Sequence, residues 1–224
     1  MALFFRKKKN DDAIETEEVS DEAPVVPEHG PWDASQVDDE VDRLDCGALK
    51  IPKTPGARIQ FSLNRKSRQA IGLVVQQGAS QMDVAVFAAP KSRDIWPDKR
   101  QELLDKAQEA GGSGRFREGP FGPEVEALVP RKDVNETRHL RYVGVDGYRW
   151  MLRAIISGLA ATDEGEREAM YKILRDIVVD RGSAPHPVGS VLPLTMSDEM
   201  KKKVDEKLGP PKIPSRGPSI TEIR

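Results

Sequence analysis

The sequence predicts an α+β domain in which an antiparallel sheet of about six to seven strands is flanked by two helices, between disordered N- and C-terminal tails. Three observations carry this. Apolar and polar residues alternate over three successive stretches, 57–64, 69–77 and 81–89, the period of strands with one buried face. An apolar stripe at helical spacing occurs only in 94–110 and 163–178, on either side of further strand-like runs. Between those helices, residues 137–158 form two apolar runs broken by Asp146-Gly147, a dipeptide that supplies positive φ to a tight hairpin turn.

The first 29 residues pass from Arg6-Lys-Lys-Lys9 to an acidic stretch holding Asp11, Asp12, Glu15, Glu17, Glu18, Asp21 and Glu22. Such a segment cannot bury enough apolar surface to offset its ordering entropy, so 1–29 reads as a disordered, basic-then-acidic tail. Phe4 and Phe5 beside Arg6, Lys7, Lys8 and Lys9 raise weak contact with an anionic membrane surface. The following acids oppose it, and stable anchoring takes two signals, so a solvated tail is the preferred reading. The single domain is placed at 30–195, with Trp32 pinning the chain onto it.

Within the domain, Ala57, Ile59, Phe61 and Leu63 face one way. Ile71, Leu73 and Val75, then Met82, Val84, Val86 and Ala88, give matching faces of a meander. Trp96, Leu103, Leu104 and Ala107 mark the first helix, ended by Gly111-Gly112. Arg115–Glu118 and Glu124–Val129 flank Gly119-Pro-Phe-Gly-Pro123 as a hairpin with a rigid turn. In 137–158 a turn at Asp146-Gly147 sets Val145 opposite Tyr148, Val143 opposite Trp150 and Arg141 opposite Leu152. Tyr148, Trp150, Leu152, Ala154, Ile156, Val143 and Val145 then form a core face against both helices. Leu140, Tyr142, Arg149, Met151, Arg153 and Ile155 face outward. Asp163 is a fitting N-cap for the second helix, with Ala169, Met170, Ile173, Leu174 and Ile177 as its buried stripe. Residues 196–224 read as a polar, Pro-rich tail, with a brief charged helix at 197–208.

With 35 basic against 37 acidic residues and a net charge of −2, no basic stripe for nucleic acid is evident. The single cysteine, Cys46, excludes an intrachain disulfide and fits a reducing compartment, and no run approaches the roughly 20 apolar residues of a membrane span. A cytoplasmic location is expected. A Cys–His nucleophile is disfavoured because His29 and His186 lie in tail or arm segments and His139 on the central hairpin. No metal-ligand spacing and no phosphate-binding glycine loop occur, so no cofactor is expected. The best functional candidate is the outward side of the hairpin, where Arg141, Tyr142, Arg149 and Arg153 form a surface for a carboxylate, a phosphate or an acidic segment of a partner. The acidic tail could cover this patch until a partner displaces it.

Gly30-Pro-Trp-Asp33, Arg43-Leu-Asp45, Gly47-Ala-Leu49, Ile51-Pro52, Phe87-Ala-Ala-Pro90, Glu118-Gly-Pro-Phe-Gly122 and Gly144-Val-Asp-Gly147 with Arg149-Trp150 occur in that order. In these motifs residues 30–195 resemble an actinobacterial family of unknown function, often encoded near dUTPase and without assigned catalytic residues. Cys46 and Tyr148 depart from that family's usual Leu and Pro, which weakens any catalytic role for Cys46. The order of elements is similar to the α+β sandwich of Mog1 and PsbP-like proteins, an analogy of fold alone. The expected function is a non-enzymatic protein-interaction module. The alternative is a small-ligand or enzyme domain for an anionic metabolite such as a nucleotide.

Overall fold

The computed structural model describes residues 29–131 and 136–208. The expected disorder of residues 1–28 and the Pro-rich run beyond 208 lie outside the described residues. Short strands β1 (Trp32–Asp33), β2 (Arg43–Asp45) and β3 (Leu49–Pro52) precede the meander β4 (Arg58–Leu63), β5 (Ala70–Gln77) and β6 (Ser80–Ala88). Helix α1 (Trp96–Glu109) leads to β7 (Ser113–Gly119), β8 (Gly122–Pro130), β9 (Thr137–Gly147) and β10 (Trp150–Gly158). Helix α2 (Glu164–Arg175), strand β11 (Val178–Val179) and helix α3 (Asp198–Leu208) complete the order.

The main sheet has seven antiparallel strands in the order β4-β5-β6-β10-β9-β8-β7. A second sheet, β1-β11-β3-β2, was not expected, because its strands are two to four residues long and come from distant parts of the chain. Such strands carry no readable period. Together with α2 it covers one face of the main sheet. Leu73, Met82, Val86, Trp150, Leu152 and Ile156 from the sheet meet Leu49, Ile51, Met170, Leu174 and Ile177 there, all of them buried. Helix α1 packs on the opposite face, where Trp96 meets Met151 and Tyr142. The expectation that both helices cover the Trp150 row is therefore corrected. Only α2 does, and Met151, assigned outward, is buried under α1.

The central hairpin turns two residues later than its sequence suggests. Gly147 pairs with Trp150, Leu152 with Val145 and Ala154 with Val143, so the loop is Tyr148-Arg149, with Arg149 at φ 64°. A shift of two preserves which side each strand residue faces, and Trp150 remains buried, but Tyr148, expected on the core face, stands in the loop and is 53% exposed. The cause is long-range. The Asp146 carboxylate accepts hydrogen bonds from the Ile95 N–H at 3.0 Å and the Trp96 N–H at 3.0 Å, capping α1, which has no side-chain cap of its own. Gly144 and Gly147 serve close approach instead of turning: a Cβ at Gly144 would enter the Trp96 indole, and one at Gly147 the Trp150 indole. Trp150 in turn donates from Nε1 to Asp33 at 2.8 Å, joining β1 to the centre of the sheet.

Candidate functional site

Because α1 lies over β7, β8 and β9 and over the end of β10 at Met151, the same face of the sheet is left open across β4, β5 and the remainder of β6 and β10. The opening is a groove of about 530 Å³ floored by Gly72, Ala85, Asp83 and Ile155, with Phe87, Tyr142 and Arg153 standing in it. Arg153 and Phe87 also line a narrower slot of about 150 Å³ beneath α1, with Lys99, Glu102 and Lys106 at its rim. Alternation fixes who belongs here: Arg153 opposes Ala85 and Ile155 opposes both Asp83 and Tyr142, so all of these side chains leave the sheet on one side.

Arg153 is the unusual residue. Its guanidinium sits 5.0 Å from the Phe87 ring centroid, a cation–π contact, and its buried Nε has no hydrogen-bond partner. Burial pushes its pKa down, with Tyr142 and Asp83 acting the other way. Asp83, which shares the groove, accepts from Gln81 Nε2 at 2.9 Å and makes no hydrogen bond to that Nε. A desolvated cation without an ion pair is costly to hold, and an incoming carboxylate or phosphate would offset that cost through two parallel N–H bonds.

The four residues singled out in the sequence do not form one cluster. Tyr142 and Arg153 share the groove. Arg149 stands in the hairpin loop. Arg141 leaves β9 on the opposite side and is buried, its Nη1 donating to Glu124 Oε2 at 3.0 Å. Its odd number puts it with Val143 and Val145, so this side was legible in the alternation.

Glu124 was missed. It is 1% exposed, and the Tyr171 hydroxyl lies 2.9 and 2.7 Å from its two oxygens. Burial pushes its carboxyl up, against the hydrogen bonds from Tyr171 and Arg141, and the Tyr171 hydroxyl is likewise raised by burial. Gly119 gives it room, as a Cβ there would strike the carboxylate. The signal that could have found it is an arginine of core parity, which requires a buried counter-charge. Buried together, these three side chains clamp β8, β9 and α2. Cys46 is equally remote from chemistry: 1% exposed, its thiol is pushed by burial to about 11, so it is not a thiolate at neutral pH. No group of three or more metal-ligating side chains occurs among the described residues, and no helix among them is long and apolar enough to cross a membrane.

With this geometry the motifs of the sequence acquire structural roles, Asp33 holding Trp150 and Asp146 holding α1. Residues 30–203 match the model of the family described as "Protein of unknown function (DUF3710)". The chain belongs to this family. No curated protein matches it. Among solved structures the DUF3710 domain is similar to the solution structure of cyanobacterial PsbP from Synechocystis sp. PCC 6803. The identity is 8% and the TM-score 0.40, over 62% of this chain and 92% of that one. Likeness at that level passes no function to the DUF3710 chain.

Proposed function

We propose that the protein is a non-enzymatic interaction module whose groove receives an acidic side chain of a partner protein at Arg153. The observation that carries the reading is the half-buried guanidinium stacked on Phe87, whose buried Nε has no hydrogen-bond partner. Such a group gains more from an incoming anion than a solvated surface arginine does. A second reading, an anionic small ligand such as a nucleotide, draws on the groove volume of about 530 Å³, which lies in the range of small-molecule sites, and on two rings that could stack a base. The buried, single Cys46 supports a reducing, cytoplasmic setting. Membrane-surface contact through Phe4, Phe5 and Arg6–Lys9 stays the weaker partner reading, opposed by the acids that follow.

Calorimetric titration of the full-length chain with a Glu-rich peptide and, separately, with ATP tests both. The module reading expects the peptide to bind and Arg153→Ala to weaken it about 10- to 100-fold, in line with the roughly 1.5–3 kcal/mol of one charge-assisted hydrogen bond. Arg149→Ala should leave it unchanged. Binding of ATP alone selects the second reading, and binding of both unaltered by Arg153→Ala removes the groove from consideration.

A further inference from the structure

We propose that the acidic segment 11–22 of this same chain docks on the arginine face of β7, at the outer edge of the main sheet. This goes beyond the groove reading and uses the opposite side of the sheet.

Strand β7 is the terminal strand of the main sheet, so one row of its backbone N–H and C=O groups has no neighbouring strand among the described residues, a ready template for an extended chain. Its side chains alternate: Arg115 and Arg117 lie to one side, and Phe116 lies to the other beneath Arg100. Both arginines donate from Nε to the same oxygen of Glu126, at 2.8 and 3.0 Å, while remaining 61% and 49% exposed. Two guanidiniums share one carboxylate, and across β7, β8 and β9 this face sets Arg115, Arg117 and Arg141 against Glu124 and Glu126, so it keeps an excess positive charge and asks for carboxylates.

The chain itself brings them there. The described residues begin at His29, whose ring meets Phe121 edge-on at 5.5 Å. Phe121 lies in the turn between β7 and β8 and meets Tyr171 of α2 edge-on, also at 5.5 Å. The first described residue therefore lies at the C-terminal end of β7, on the side where α2, Arg115 and Arg117 lie. Seven acids and no cation occupy residues 11–22. At about 3.3 Å per extended residue the link from His29 to Glu22 spans up to roughly 23 Å, against roughly 13 Å from Gly119 back to Arg115, so the acids reach the arginines with slack. Glu15 and Glu17 are spaced by two, like Arg115 and Arg117, as two strands side by side require. Edge-to-edge pairing of a second copy's β7 is disfavoured, because antiparallel pairing about Phe116 sets arginine against arginine.

The test is paramagnetic relaxation in the full-length chain carrying a nitroxide on Ser20→Cys. Cys46 stays unlabelled because it is buried. At low salt the amide signals of 113–119 should lose at least half their intensity. The intensity should return in 0.5 M NaCl, in Arg115→Gln/Arg117→Gln, and in Glu15→Gln/Glu17→Gln/Glu18→Gln, which leaves the domain untouched; Arg153→Ala should change nothing. Enhancement that is absent from β7, centred on the Arg153 groove, or insensitive to the charge substitutions overturns the proposal. So does enhancement seen when spin-labelled chain is mixed with unlabelled, isotope-enriched chain, since that places the segment of one molecule on another.

Discussion

Glu124, Tyr171 and Arg141 show what a single buried charge demands. The carboxylate is taken out of water, so its three short contacts, 2.7 to 3.0 Å, must replace hydration, and each matters more than at the surface. Tyr171→Phe removes the hydroxyl and should cost about 1–3 kcal/mol. Glu124→Ala should cost more, about 3–5 kcal/mol, because it strands the Arg141 guanidinium without a counter-charge. Urea unfolding of both variants checks the ranking. A smaller loss for Glu124→Ala than for Tyr171→Phe would mean that Arg141 finds water in the folded protein.

Among the elements, α1 is the one whose start is held from outside. Asp146 reaches from β9 to the Ile95 and Trp96 N–H groups, and Trp96 Nε1 donates to the Pro123 carbonyl at 2.9 Å, so strand and helix termini are locked together. Asp146→Ala should cost about 1–2 kcal/mol and speed hydrogen exchange in the first turn of α1, whereas Asp146→Asn should recover most of it. This contact explains where the sequence misled. Asp-Gly is a strong hairpin signal judged locally, yet Asp146 is recruited by a helix some fifty residues earlier, and the reversal moves to Tyr148-Arg149. Buried faces were readable, since alternation survives a shift of two, and so were both flanking helices and the Asp163 cap, whose Oδ1 accepts from Glu166 N–H at 2.8 Å. Half of the four-residue candidate site is legible in the alternation: Tyr142 and Arg153 share a face, whereas the parity of Arg141 sets it on the other side with Val143. Arg149 was assigned to a strand on the strength of the misplaced turn.

For the whole molecule, the main sheet is a septum with different chemistry on its two sides, and the carboxyls distributed over it set its response to pH. Arg115, followed by Arg117, holds Glu126 at about 2, so its contribution is present above the ordinary carboxylate range and fades as pH falls from about 4.5 towards 2. Glu124 and Asp146 are both raised by burial, so folding binds their protons and stability declines as pH rises through their folded values. The urea midpoint should therefore climb slightly from about pH 7 to mild acid and drop below about pH 4. Glu124→Gln should flatten the upper limb. Glu126→Gln should remove about 1 kcal/mol from the lower, the most that a partly exposed pair contributes. The small sheet carries one further consequence. Its β1 lies parallel to β11, Trp32 beside Val178, and in the strap that follows β11 the Leu192 and Leu194 N–H groups donate to the Val86 and Ala70 carbonyls. A nascent chain that has released β1 to β10 still lacks α2, β11 and the strap that cover Leu73, Met82 and Trp150. Birth on the ribosome thus leaves an oily flank open until almost the last residue of the domain has emerged, a window in which a chaperone, or a neighbouring nascent chain, competes with the protein's own tail end for that flank.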